Sequence, residues 1–213
     1  MHARITLALL LLISLPAQAA ALMGFKDSAM LMSEFATDRK ELMLNYSPFL
    51  GHAFGVETMW MRGETQTNLI TNFNYTGLIR RWNMPSGQAN LWFMTGMGNA
   101  SGDSSGFSYS PSVQFDYETT RLYFLAKARM LRAPHIQYDS YSVQGGFSFY
   151  ASSYEETQPW FVVEARTTDN MTSRNEITPA LRLINQHYFL ELGLTNPWDA
   201  QSRTPKLNLM LTF

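Results

Sequence analysis

The chain has no cysteine among its 213 residues. That excludes disulfides, thiolate metal sites, cysteine catalysis and a lipid-modified N-terminal cysteine. It also has no surplus of positive charge, since 16 Lys and Arg stand against 17 Asp and Glu. No surface suited to a nucleic-acid backbone is therefore expected. Long apolar runs are missing too: past residue 19 nothing approaches the roughly 20 residues that a membrane-spanning helix needs. The mean hydropathy is slightly polar. These absences fit a soluble protein, but they fit equally a chain that crosses a membrane with strands, in which lipid-facing and lumen-facing residues alternate and cancel in the average.

What is present begins at the N-terminus. Met1 to Arg4 supply a short positive region, Ile5 to Leu15 an apolar run, and Pro16 leads into Ala17-Gln18-Ala19, a small-x-small pattern. This is the layout of a secretory signal peptide cut after Ala19. The apolar run, about 11 residues, is too short to anchor the chain across a bilayer. The expected organisation is a signal peptide at 1–19 and a single domain at 20–213. The 194 residues that remain (213 minus 19) suffice for one sizeable domain.

After a short lead the chain parses into segments that alternate apolar and polar residues with period two, separated by turn residues. The clearest is 107–118, where Phe107, Tyr109, Pro111, Val113, Phe115 and Tyr117 alternate with Ser108, Ser110, Ser112, Gln114, Asp116 and Glu118. Eleven more segments follow the same rule: 28–35, 41–47, 53–62, 68–82, 89–98, 120–131, 139–150, 160–168, 175–184, 188–194 and 206–213. In each, one parity is mainly apolar and the other collects the charges. The charged parity carries Glu34, Glu41, Glu57, Arg80, Asp116, Arg121, Lys127, Arg129, Glu164, Arg166, Arg182 and Glu191. Charges facing the dry interior of a soluble sandwich are prohibitively costly. They fit if the apolar parity faces lipid and the charged parity lines a lumen, where they would pair across strands and narrow the channel. A soluble sandwich or a lipocalin-like barrel is the alternative, with the faces inverted.

The chain ends on Leu207-Asn208-Leu209-Met210-Leu211-Thr212-Phe213. Leu207, Leu209, Leu211 and Phe213 share one face of a strand that stops on an aromatic. This ending resembles the C-terminal assembly signal of bacterial outer-membrane β-barrel proteins, and with the signal peptide and the alternating segments the resemblance covers the whole chain. It implies an all-β, up-and-down antiparallel transmembrane barrel of about twelve strands, with ten as the alternative count. It also implies a Gram-negative outer membrane, lipid around the barrel, and the barrel-assembly machinery and periplasmic chaperones as transient partners. Both termini and the turns near 48–51, 84–88, 117–120, 151–159 and 185–187 are expected at the periplasmic end. Tyr46, Trp60, Trp82 and Trp160 are expected in interfacial girdles.

The candidate chemistry lies on the lumen parity. Met30, Met32, Met43, Met59, Met61 and Met210 all fall there, on four strands made consecutive by closure. Two readings stand. Methionine is a flexible filler of irregular space, or the six thioethers form a ladder of soft ligands suited to copper as Cu(I). The first leaves a small porin-like barrel with a structural or narrow-channel role and no cofactor, and the second a barrel that binds or exports copper. An enzyme is not expected. The one local set for an outer-membrane hydrolase is His135 with Asp139 and Ser140.

Overall fold

The computed structural model describes residues 26–63, 65–153, 155–171 and 174–213, and the expected signal peptide, 1–19, lies outside them. Strands occupy nearly all of what is described: β1 (Ser28–Phe35), β2 (Arg39–Phe49), β3 (His52–Arg62), β4 (Thr67–Met84), β5 (Gly87–Gly102), β6 (Gly106–Tyr109), β7 (Ser112–Thr119), β8 (Leu122–Ala133), β9 (Ile136–Phe147), β10 (Gln158–Thr168), β11 (Asn175–Ile184), β12 (Tyr188–Thr195) and β13 (Thr204–Thr212). Each pairs antiparallel with its neighbours, and β1 pairs with β13, so the sheet closes on itself and has no free edge.

β6 and β7 are two halves of one strand position. Tyr109 faces Met97 and Ser112 faces Met94, three residues further along on both strands, so the register does not change across the gap. On the other side Tyr109 faces Arg132 and Ser112 faces Arg129, again three apart. The interruption falls at Pro111, which has no N–H to give to the ladder. Ser110 N still donates to Gly96 O (2.9 Å), and Pro111 O accepts from Met130 N (3.0 Å). The barrel therefore has twelve strand positions, the count the alternation predicts.

The two faces are inverted relative to a soluble protein. Phe73 is 60% exposed beside Asn72 at 0%, and Leu181 is 53% exposed beside Arg182 at 3%. The apolar parity makes a continuous outer surface that includes Leu44, Val56, Val143 and Leu192. Such a surface matches hydrocarbon and no aqueous environment. Outward aromatics cluster near both rims: Tyr46, Phe49 and Tyr150 at the end that carries the termini, Phe35 and Phe107 at the far end. A cation lies over a ring at each level, Arg80 above Trp82 (5.1 Å) and Lys40 above Trp60 (5.0 Å), as expected of long side chains reaching past an interfacial aromatic belt.

Three expected positions are corrected. Arg80 does not face the lumen. The β4–β5 register shifts between Leu78 and Arg80, so two residues oppose one there and the parity flips beyond it. Arg81 takes the inward slot, its Nε donating to Asn90 Oδ1 (2.7 Å). Arg121 is not in the lumen either: it precedes β8 in an exposed turn at the termini end and donates to Ser148 O and Phe149 O. Trp160 belongs to no outer girdle, because it is on the inward parity of β10 and only 4% exposed.

Leu44 and Val143 lie outward and near the middle of their strands. Arginine at either position is expected to lower the unfolding free energy of the lipid-embedded barrel by about 2–4 kcal/mol. Urea titration in vesicles, followed by tryptophan fluorescence, measures it, and a soluble protein with these residues exposed would be unaffected.

Candidate functional site

Closure of β1 on β13 sets the inward side chains in rows along the hydrogen-bonding direction. One row runs Arg182, Glu191, Asn208, Glu34, Glu41, Met59 and Ile70 across β11, β12, β13, β1, β2, β3 and β4. The next row toward the termini runs Phe189, Met210, Met32, Met43, Glu57 and Asn72. The charges and the methionines thus occupy adjacent levels of one wall.

Two cations, Arg129 and Arg166, meet the charged row from walls that are not its sheet neighbours, so their pairs with Glu41, Glu57 and Glu34 cross the lumen. Arg129 of β8 donates from Nη1 to Glu41 (2.8 Å) and from Nη2 to Glu57 (2.7 Å). Arg166 of β10 donates to Glu34 of β1 (2.7 Å) and to Glu164 on its own strand (2.7 Å). Glu34 also accepts from Arg39 (2.6 Å), and Lys206 of β13 bonds Glu164. Arg182 pairs with Glu191 (2.6 Å) and donates to Gln144 (2.9 Å), its guanidinium lying 4.6 Å from the rings of Tyr123 and Phe189. Six carboxylates (Glu34, Glu41, Glu57, Glu164, Glu176, Glu191) meet six cations (Arg39, Lys127, Arg129, Arg166, Arg182, Lys206), so the belt is balanced. Asp116 stands apart toward the termini end and accepts from Asn90 (2.7 Å) and from Trp92 Nε1 (2.6 Å).

Toward the far end the lumen turns apolar. Met59, Met61, Ile70, Ala100, Leu131, Ile136, Tyr138 and Met171 form one buried cluster with inward-facing members from β3, β4, β5, β8 and β9. Met171, which follows β10, forms a bridge to Gly63, after β3, and so reaches across the mouth. Gly63 is needed there: a Cβ would meet Tyr138 Oη at 2.5 Å and Asn170 O at 2.8 Å. Below the charges, toward the termini, a cavity of about 190 Å³ remains, lined by Met32, Met43, Met94 and Met210 among others.

The six methionines therefore do not form one staircase. Met59 and Met61 are packed in the apolar cap, and Met59 Sδ accepts from Arg129 Nη2 (2.9 Å). Met30 is buried one level below the cavity row, between Thr212 and Asn45. Met32, Met43 and Met210 share the cavity. Met94 joins them from β5, a position whose inward parity with Asn90 and Trp92 was the available signal. Arg39, outside the expected segment 41–47, is the first residue of β2 and shares inward parity with Glu41. Leu207, Leu209 and Leu211 face outward, and Phe213 ends the chain 73% exposed. His135, in a left-handed turn (φ 60°), Asp139 and Ser140 are not assembled: Asp139 is engaged by Arg132 (2.6 and 2.9 Å), and Ser140, on the opposite parity, accepts from Thr168 (3.1 Å). Among the described residues no group of three or more His, Asp or Glu is placed to hold a metal ion.

No family model and no curated protein matches the chain. Solved structures do. LpxR from Salmonella typhimurium is similar at 9% identity, over 87% of this chain and 99% of that one, with a TM-score of 0.50. The KdgM porin in complex with disordered oligogalacturonate is similar at 15% identity, over 87% and 98%, with a TM-score of 0.49. The NanC porin follows at 9%, over 87% and 98%, with 0.48. These are bacterial outer-membrane β-barrels. What this chain shares with LpxR is the fold.

Removing one partner of a cross-lumen pair leaves a buried charge unsatisfied. Arg129→Gln, which strands Glu41 and Glu57, is expected to cost about 3–5 kcal/mol, and adding Glu41→Gln and Glu57→Gln is expected to recover much of it. Chemical denaturation of the refolded barrel compares the variants. Equal stability of Arg129→Gln and wild type would show that the pairs contribute nothing.

Proposed function

We propose that this chain is an integral barrel of a Gram-negative outer membrane, with its termini in the periplasm, and that its lumen is a narrow gated passage, closed at rest. The observation that carries the reading is the pair of bridges thrown across the lumen by Arg129 to Glu41 and Glu57, and by Arg166 to Glu34. An open diffusion pore keeps its opposite walls apart. Here they are tied together, and the apolar cluster beneath the Met171 crossing adds a second barrier. A constriction lined by apolar side chains excludes water and therefore ions. The lipid-matched exterior and the likeness in fold to outer-membrane barrels support the location.

The barrel is read as non-enzymatic. LpxR shares the fold, but fold does not carry activity. The local His135 set that a hydrolase would use is split between the two faces of β9 and a turn.

Planar-bilayer recording tests the gated passage. Wild type is expected to stay closed, with brief openings at most. Glu34→Gln, Glu41→Gln, Glu57→Gln, Lys127→Gln, Arg129→Gln and Arg166→Gln together with Met171→Ser remove both ties and equal numbers of carboxylates and cations, and this variant is expected to conduct steadily. A steady conductance in wild type would contradict the closed state, and silence in the loosened variant would contradict the passage.

A further inference from the structure

The cavity of about 190 Å³ on the termini side has an unusual wall for a polar lumen. Met32 lies directly opposite Met210 on one side and Met43 on the other. Directly opposed residues on one face hold their Cβ atoms about 4.5–5.5 Å apart. Methionine is unbranched and flexible beyond that point, so three thioethers in consecutive register can converge on one position in the cavity. Met94 lines it from another strand.

Two further observations point to a ligand. Asn45 and Asn208 line the same cavity, and the Oδ1 of each is buried without a hydrogen-bond partner. Asn45 as a whole is only 3% exposed. A buried acceptor with no donor is costly to maintain. The charges lining the cavity also cancel: Glu34 and Glu41 stand against Lys127 and Arg182, and Arg182 is already held by Glu191. A neutral cavity rich in thioethers offers little to a hard dication, whereas soft ligands that need no deprotonation suit a soft monovalent ion.

We infer that this cavity is a site for a single soft monovalent metal ion, Cu(I) or Ag(I), held by the thioethers of Met32, Met43 and Met210. Asn45 Nδ2 donates to Met43 Sδ (3.2 Å), a neutral amide contact that the ion would displace, whereas Met59 carries the cationic Arg129 guanidinium on its sulfur and is packed with Met61 in the apolar cap, so those two take no part. The site lies on the termini side of the charged belt, so it does not depend on whether the lumen conducts.

Ag(I) is the probe, because it needs no reductant. Refolded full-length barrel in chloride-free detergent solution is titrated calorimetrically, with bound silver counted after dialysis and its ligands read from X-ray absorption. The expected result is a single Ag(I) per chain with a sulfur shell. Met32→Leu/Met43→Leu/Met210→Leu is expected to weaken binding by more than about tenfold, and Met59→Leu/Met61→Leu to leave it unchanged. Heat-modifiable gel mobility verifies that each variant is folded, and the milder Met43→Leu alone is expected to show a partial loss. Absence of silver binding by wild type, a shell without sulfur, or undiminished binding by the folded triple variant would overturn the site, whatever the bilayer recordings show.

Discussion

The pairing of β1 with β13 is the constraint on which everything else rests. In hydrocarbon every backbone N–H and C=O must find a partner within the protein, and only a closed sheet leaves none over. Closure has a second effect, because it joins the two ends of the sequence laterally. Met32 comes to lie beside Met210 and Glu34 beside Asn208. Without that seam the row from Arg182 to Ile70 would be two unrelated fragments. With it, the inward residues of seven strands form one level that carries Arg182, Glu191, Glu34 and Glu41, beside a level in which Met210, Met32 and Met43 are consecutive.

The lumen that results is held shut by forces of different kinds. Ion pairs across the lumen recover part of the desolvation that each buried charge suffers, and the equal number of carboxylates and cations leaves the belt with no net charge. The apolar cap at the far end needs no partner chemistry; it is stabilised by the exclusion of water from Met59, Met61, Ile70 and Met171. The two layers respond differently to change. Charge removal loosens the middle and leaves the cap packed, whereas a polar residue in the cap hydrates the mouth and leaves the ties intact. Between the charges and the termini the remaining volume is lined by four thioethers together with amide and hydroxyl side chains.

Period-two alternation made most of the fold legible in the sequence. Each lumen side chain is fixed by parity once a strand is placed, which is why Glu34, Glu41, Arg129 and Arg166 could be assigned inward from sequence alone. What parity does not reveal is a local break in it. The bulge near Ile79 exchanges Arg80 for Arg81, and nothing in Leu78-Ile79-Arg80-Arg81 marks the extra residue. Strand ends are equally silent: Arg39 and Arg121 have the right parity, but one starts a strand and the other lies before one. Trp160 shows a further limit, since an apolar side chain on the polar face reads as a girdle residue until its surroundings are known. The division of the methionines between cap and cavity depends on contacts across the lumen, which no pattern along the chain encodes.

The absence of cysteine makes the closed lumen directly measurable, because a single introduced thiol is the only one in the molecule. Met210→Cys places that thiol in the termini-side cavity, below the charged belt. In barrels inserted with one orientation in vesicles, a small charged maleimide added from the termini side is expected to label it readily, and the same reagent added from the far side is expected to leave it unlabelled. Equal labelling from both sides would mean that the ties and the cap do not close the lumen.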